Sequence, residues 1–138
     1  MKNTLIHHTY NLFLDDYRQP IEAHVYMFKY VYLIYDWVVV ENYNEFVDYV
    51  TKNGMPKCVS FDHDLADVHY NQQENPDYCD NSTEKTGYHC AKWLIDYAID
   101  NEIELPKEIY VHSMNNVGAR NIRSLFETFY KIYGNERK

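Results

Sequence analysis

The sequence predicts an α/β domain with a mainly parallel sheet. Short apolar runs of strand length alternate along the chain with longer segments whose apolar residues recur at helical spacing. This alternation is typical of strands joined by crossover helices, which leave neighbouring strands parallel. The length of 138 residues suits one hydrophobic core. We therefore expect a single domain over residues 1–138.

The first half of the chain contains two predicted strands and a helix. Asn11–Leu14 is an apolar run that ends at two acids, and Trp37–Glu41 is a second run, rich in valine. The helix is predicted to begin at Asn42 or Tyr43 and to end at Asn53-Gly54, because glycine is a common signal after a helix. Its apolar residues at helical spacing are Phe46, Val47 and Val50.

The segment Ile21–Tyr35 has two interpretations. Its valine, tyrosine and isoleucine content favours a strand. A parallel connection between the first two strands instead requires a crossover, which is usually a helix. The sequence leaves both open.

The second half contains two further strands, a long loop and two helices. The stretch PKCVSFD predicts a strand that begins after Pro56, and KEIYVHS predicts the fourth strand. Between them lie a polar loop at about residues 65–86 and a helix with Thr86 as its N-cap. The apolar residues of this helix are Ala91, Leu94, Ile95 and Ala98. The last helix is NNVGARNIRSLFETFYKIYG, with Val117, Ile122, Leu125, Phe129 and Ile132 expected to face inward.

Composition and charge limit the possible partners. A net charge of -8 argues against extensive nucleic-acid binding, although a small phosphorylated ligand needs only local cations or a metal. Three cysteines favour a reduced, cytoplasmic setting. The most apolar region, Val25–Val40, is interrupted by Lys29 and Asp36 and is too short to span a bilayer. We expect a soluble protein without membrane contact, and the oligomeric state stays open.

Acidic residues follow two of the predicted strands, at Asp15-Asp16 and Asp62-His63-Asp64. Because the carboxyl ends of parallel strands share one edge of a sheet, we expect Asp15, Asp16 and Asp62 to converge. Converging carboxylates repel one another and favour a hard cation such as Mg²⁺ or Mn²⁺. The alternative is that each acid only caps the turn that follows it.

His63 and His112 are candidates for proton transfer or metal binding, and Asp64 either orients a histidine or caps a turn. Ser113, directly after His112, is able to accept a proton, to bind phosphate or to cap a turn. An isolated histidine at a strand end more often only makes hydrogen bonds within the protein than takes part in chemistry, so the neighbouring residues decide between the two roles. No Gly-x-Ser-x-Gly motif supports a serine nucleophile.

The start of the last helix and the turn after the first strand supply candidate phosphate ligands. A helix N-terminus attracts anions, and the residues there are Asn115, Gly118 and Arg120. Arg18 follows the first acidic pair, with an ordinary salt bridge as its alternative role. A zinc site is the weaker hypothesis, because His69, Cys79, His89 and Cys90 lack the usual paired spacing.

Four blocks resemble the cyclic-phosphate-processing receiver-like family of small bacterial and phage proteins. They are LFLDDYRQP (Leu12–Pro20), SFDHDL (Ser60–Leu65), TGYHCAKWL (Thr86–Leu94) and VHSMNNVGARNI (Val111–Ile122). The resemblance implies a flavodoxin-like three-layer sandwich with four or five strands. After Ile122 the sequence predicts one helix and a short tail, where a receiver has a fifth strand that carries a lysine, and Asn115-Asn116 stands where the family has Asn-Pro.

The resemblance also implies a function. Asp15, Asp16 and Asp62 match the receiver acids that hold Mg²⁺, and Ser113 matches the hydroxyl residue after the fourth strand. We expect a metal-dependent phosphodiesterase that opens a cyclic phosphate on a nucleotide or an RNA end. It would act in nucleotide signalling, RNA repair or phage–host defence, in bacterial or host cytoplasm. Phosphorylation of Asp62 is a less favoured variant.

Two alternatives to an enzyme stay open. One is a non-catalytic receiver-like module that sequesters a nucleotide messenger or binds a partner protein. The other is a structural domain whose strand ends are merely charged.

Overall fold

The computed structural model describes residues 9–65 and 85–133. Its four strands are β1 (Asn11–Leu14), β2 (Trp37–Val40), β3 (Cys58–Phe61) and β4 (Glu108–Val111). Its five helices are α1 (Pro20–Met27), α2 (Val31–Ile34), α3 (Tyr43–Asn53), α4 (Gly87–Asn101) and α5 (Asn116–Tyr133). None of the helices within these two ranges is long and apolar enough to cross a membrane.

The strands form one parallel sheet in the order β2-β1-β3-β4. The central strand β1 pairs in register with β2 on one side and β3 on the other, so Leu14 lies opposite both Val40 and Phe61. The order places the carboxyl ends of β1 and β3 side by side at one edge. The predicted α/β fold with a flavodoxin-like, receiver-like sheet is therefore confirmed.

Helices cover both faces of the sheet. Leu12 and Leu14 point into the larger core, which they share with α3, α4 and α5. Phe13, between them, points to the opposite face and packs with Ala23 of α1 and Tyr32 of α2. Because side chains alternate along a strand, four residues of β1 suffice to join the two cores into a three-layer sandwich.

The segment Ile21–Tyr35, which the sequence left open, forms the crossover. It folds as α1 and α2 rather than as a strand. Parallel pairing of β1 with β2 requires the chain to return across the sheet, and this requirement overrides the β propensity of the segment. Pro20 at the first position of α1 has a ring that fits there without loss of a helical hydrogen bond.

The helix ends follow the predicted signals. The Asn42 side chain accepts a hydrogen bond from the Glu45 amide at the start of α3, and Gly54 follows its end. Thr86 caps α4 by accepting from the Tyr88 amide. His89 has its place in this cap, and Cys90 is buried in the core, so neither is arranged as a zinc ligand. Most of the predicted loop, residues 66–84, lies outside the described ranges, together with His69 and Cys79.

The inward face of α5 was predicted only in part. Ile122 is buried as expected, and Leu125 and Phe129 pack against the core, but Val117 and Ile132 are exposed, which corrects the prediction at those two positions. The residues that reach the core instead are Gly118, Ala119 and Phe126. The centre of the buried face therefore consists of residues four apart, Gly118, Ile122 and Phe126. Apolar residues beside this face, such as Val117, made the inward side of the helix look different in the sequence.

Candidate functional site

Three carboxylates converge where β1 and β3 end. Each of Asp15, Asp16 and Asp62 offers an oxygen that lies within 4.8 Å of the other two. The parallel ladder produces this arrangement, because the Asp62 amide donates to the Leu14 carbonyl at 3.0 Å and the Asp15 amide donates to the Val40 carbonyl at 3.0 Å. The predicted convergence of these acids is therefore present in the fold.

Asp15 is buried and held from both sides. Its Oδ1 accepts the amides of Tyr17 at 2.9 Å and Arg18 at 2.8 Å, and its Oδ2 lies 3.0 Å from Nε2 of His112. Burial alone would raise the pKa of Asp15, but the hydrogen bonds from His112, Arg18 and Tyr17 outweigh it and lower that pKa. Asp15 is thus a fixed, ionised carboxylate beneath the site.

His112 connects Asp15 to a buried chain of hydroxyl groups. Its Nδ1 lies 2.7 Å from Oγ of Ser60, which lies 2.7 Å from the hydroxyl of Tyr32. The ring also stacks on Phe13, with 4.3 Å between the centroids. Burial lowers the pKa of His112, against the opposing effect of Asp15, so the imidazole is neutral and donates Nε2–H to the carboxylate.

This position does not fit the predicted role of His112 as a general acid or base. The side chain is completely buried and has no open face toward a ligand. The alternation of side chains along β4 and beyond explains why: Val111 faces the larger core, so His112 turns to the other side, beneath α1 and α2. His112 is a residue that positions Asp15.

Asp62 has the opposite electrostatic environment. Only 4% of it is exposed. Burial, followed by the charge of Asp15, raises its pKa to about 7, although Arg18 and a hydrogen bond from Ser113 work in the other direction. Among the described residues, Asp62 therefore lacks full charge compensation, which is the condition that a bound cation relieves.

A cleft of about 270 Å³ opens above the acids. The polar side chains that line it are Asp16, Arg18, Asp62, Asp64, Ser113 and Asn115. A guanidinium nitrogen of Arg18 lies 3.9 Å from Oδ2 of Asp15, and the group lies over the ring of Tyr26, 5.5 Å from its centroid. Arg120, expected to bind phosphate, is exposed on α5 and is not among the lining residues.

His63 forms a second polar chain at the border of this cleft. Its Nδ1 lies 2.8 Å from Oδ1 of Asp64, and the Asn115 amide donates to Oδ1 and Oδ2 of Asp64 at 3.2 and 3.1 Å. Oδ1 of Asn115 in turn accepts the Gly118 amide at 2.9 Å, at the start of α5. Asp64 therefore contacts His63 directly, and Asn115 holds the carboxylate in place.

Glycine makes room for this arrangement at two positions. A Cβ at Gly118 would overlap the ring of His63, so only glycine lets α5 begin so close to the imidazole. A Cβ at Gly87 would overlap the Asp62 carbonyl, while the Gly87 amide donates to the His63 carbonyl at 2.8 Å. The first turns of α4 and α5 are thus packed directly against the strand end that carries Asp62 and His63.

His63 lines a larger cavity beside the cleft. This cavity, about 800 Å³, runs between α4 and α5. Apolar and aromatic side chains such as Tyr88, Leu125 and Phe129 form much of its wall, together with the polar Asn121 and Ser124. His63 therefore lies between an acidic cleft and an apolar cavity.

The donor set at the strand ends fits a hard divalent cation. Mg²⁺ and Mn²⁺ prefer carboxylate oxygens, and three such groups are close enough to share an ion. The raised pKa of Asp62 indicates the same need for positive charge. Asp15, Asp16 and Asp62 are the residues that would hold the ion.

The sequence prediction missed the buried partners of the site. Tyr32 and Ser60 extend the chain from His112, and Tyr26 donates to the His112 carbonyl at 2.6 Å. One signal was available: Ser60 is a polar residue inside an apolar strand, and such residues require a partner. The identity of that partner depends on α2, whose fold the sequence left open.

A parallel sheet of this order, with acids after β1 and β3 and a serine after β4, defines a receiver-like domain. The family described as "Cyclic-phosphate processing Receiver domain" has a sequence model that matches residues 10–128. The chain belongs to this family. No curated protein and no solved structure matched it.

Proposed function

We propose that the protein is a metal-dependent phosphodiesterase that opens a cyclic phosphate on a nucleotide or an RNA end. The observation that carries the proposal is the cluster of three carboxylates beside Arg18 at the strand ends, in a family described by cyclic-phosphate processing. Clusters of carboxylates that hold a metal are a common basis for phosphoryl chemistry in proteins.

Asp15, Asp16 and Asp62 would hold Mg²⁺ or Mn²⁺. When bound, such an ion polarises phosphoryl oxygens and lowers the pKa of an attacking water. Asp15 contributes a carboxylate whose orientation is fixed by two backbone amides and by His112. Asp62 supplies a buried carboxylate whose raised pKa indicates that the described residues do not fully compensate its charge.

Arg18 is the principal phosphate ligand in this mechanism. A guanidinium carries five N–H donors, more than its contacts with Asp15 and Met114 require. Ser113 and Asn115 line the same cleft and offer a hydroxyl and an amide. Gly118, also expected to bind phosphate, donates its amide to Asn115 and does not line the cleft, and exposed Arg120 contributes only longer-range attraction.

His63 transfers the proton. The Asp64 carboxylate accepts Nδ1–H of His63, which leaves the Nε2 lone pair free to take a proton from water or, once protonated, to give one to the leaving oxygen. Asn115 keeps Asp64 in the required orientation. The cavity between α4 and α5 starts at His63, and its aromatic and amide side chains suit the nucleoside part of the substrate.

The test is turnover of a panel of 2′,3′-cyclic, 3′,5′-cyclic and oligomeric cyclic nucleotides with Mg²⁺ or Mn²⁺. We expect hydrolysis of at least one class, its loss on chelation, and its loss in Asp62→Asn. Asp48→Asn, an exposed carboxylate on α3, is the matched control and should retain full activity.

Other outcomes would contradict the proposal in different ways. Tight binding of a cyclic nucleotide without turnover would favour the non-catalytic module that sequesters a messenger. A phosphorylated Asp62, detected by mass spectrometry, would favour the phosphoacceptor variant. The absence of both binding and turnover across the whole panel would refute the phosphodiesterase and the sequestering module alike.

A further inference from the structure

The outer side of α1 and α2 carries an apolar surface that nothing in the described chain covers. It consists of Ile21, Val25, Phe28, Tyr30, Leu33 and Ile34, which we call the α1–α2 outer face. Ile21, Val25 and Phe28 are four and three residues apart and so lie on one side of α1. The opposite side of the same helix already packs on the sheet through Ala23.

The helix pair is therefore apolar on two sides. Surface helices usually place polar residues opposite the core, whereas helices that are apolar all round are buried. Of the outer face, Phe28 is 81% exposed and Ile34 is 70% exposed. These fractions are unusual for a group of neighbouring large apolar residues in a monomer.

The area matches what a stable interface requires. Given the sizes of the six side chains, their exposed fractions correspond to roughly 700 Å² of surface. An interface of standard size takes ~800 Å² from each partner. The largest apolar patch on a typical monomer is smaller, about 300–600 Å².

Phe28 adds a conformational argument. It ends α1 with φ of 53°, in the left-handed region that a bulky residue enters only at a cost in free energy. Its amide donates to the His24 carbonyl at 2.9 Å, and the turn directs most of the ring into solvent. A strained backbone that exposes an aromatic ring is understandable if the ring makes a contact with another molecule.

The distribution of charge along the chain indicates which molecule binds the outer face. The protein carries a net charge of -8, which opposes the approach of two copies. Residues 20–35, which comprise α1, α2 and the turn between them, carry one acid, Glu22, and one base, Lys29, so this segment is neutral. The outer face is thus a region where two copies can meet without like-charge repulsion, and the balanced charges allow reciprocal pairing across a two-fold axis.

We propose that the α1–α2 outer face binds a second copy of this chain and forms a symmetric homodimer. Its test is sedimentation equilibrium of the full chain over about a hundredfold range of concentration. We expect a monomer–dimer equilibrium, with protection of the α1 and α2 amides from hydrogen exchange as the dimer forms.

A matched pair of variants distinguishes association through the outer face from nonspecific association through any exposed apolar residue. Ile21 is 61% exposed on α1, and Ile132 is 56% exposed on α5, outside the outer face. Ile21→Glu should raise the dimer dissociation constant at least about tenfold, because a symmetric interface contains the substitution twice. Ile132→Glu should leave it unchanged.

A second pair of variants, with lysine in place of glutamate, tests whether added negative charge alone explains the weaker dimer. Ile21→Lys should also weaken the dimer, although it lowers the net negative charge of the chain, and Ile132→Lys should not. Circular dichroism checks that each variant is folded. A full chain that stays monomeric over the whole range, or equal effects at Ile21 and Ile132, would overturn the proposal. A dimer seen only after deletion of residues 1–8 would also overturn it, since those residues would then cover the face in the native chain.

Discussion

Nε2 of His112 lies 3.0 Å from Oδ2 of Asp15, and both side chains are buried. A carboxylate without solvent needs donors, and here His112 supplies one while backbone amides supply two more. The bond joins the end of β4 to the end of β1 across the intervening β3. It therefore fixes the acidic cluster and ties the two strand ends together.

Removal of this donor should destabilise the protein. In His112→Phe, the new ring can keep the stacking on Phe13, but Oδ2 of Asp15 loses a hydrogen bond in a buried place. We expect the free energy of unfolding at pH 7 to fall by about 2–3 kcal/mol, measured by urea denaturation.

His112→Gln is the matched control, because its amide can still donate to Asp15 although it is a poorer apolar fit. We expect it to be the more stable of the two variants. If His112→Gln is as destabilised as His112→Phe, the hydrogen bond to Asp15 is not what stabilises this region.

The fold was predictable where signals were local, and the buried network was not. β1 was predicted with the bounds it has, since an apolar run ending in two acids marks a strand end whatever surrounds it. The convergence of Asp15 with Asp62 followed from the rule that parallel strands end at one edge. His112 was predicted as a candidate for proton transfer or metal binding, because the sequence does not reveal that α1 and α2 close over its side of the sheet.

The same limit applies to the helices. α5 presents several apolar stripes, and only packing against the sheet decides that Phe126 faces the core while Ile132 does not. For the crossover, local β propensity and global topology disagreed, and topology decided. Tyr32 and Ser60 are far apart in the chain, and the only sign of their contact in the sequence is that Ser60 is a polar residue in an apolar run.

The raised pKa of Asp62 predicts how metal-free stability depends on pH. Its pKa is about 7 in the folded chain and 3.8 ordinarily, so between these values the folded state holds more protons than the unfolded state. Its contribution to stability is therefore complete below about pH 4 and is lost as pH rises through about 7. The loss amounts to about 4 kcal/mol for a shift of this size.

Asp62→Asn isolates this effect, because asparagine does not titrate. In EDTA at pH 8 we expect the variant to be more stable than the wild type, with the difference shrinking as pH falls to 4. Mg²⁺ should narrow this difference, because it stabilises the wild type more than the variant, by about 2.7 kcal/mol at one hundred times the dissociation constant. A wild type whose metal-free stability does not fall relative to Asp62→Asn in this range would contradict the assignment.

Gly118 should be coupled energetically to His63. An alanine in place of glycine usually stabilises a helix by up to about 1 kcal/mol, but here the added Cβ overlaps the His63 ring. We expect Gly118→Ala to lower the free energy of unfolding in the wild type and to raise it in a His63→Ala background. The measurement is a double-mutant cycle by denaturation, with an expected coupling of about 1 kcal/mol or more. Equal effects in both backgrounds would show that the ring moves away at no cost.

The proposed proton transfer by His63 gives the sharpest test of the mechanism. His63→Gln should reduce kcat for the cyclic phosphate by about 10²–10⁴, the usual contribution of a general acid or base. Asp64→Asn should reduce it less, because it weakens the hold on Nδ1 without removing the ring. His89→Gln is the matched control: it lines the same cavity, and glutamine suits the capping position that His89 occupies. If His89→Gln is impaired as much as His63→Gln while both variants remain folded and bind Mg²⁺, His63 is not the group that transfers the proton.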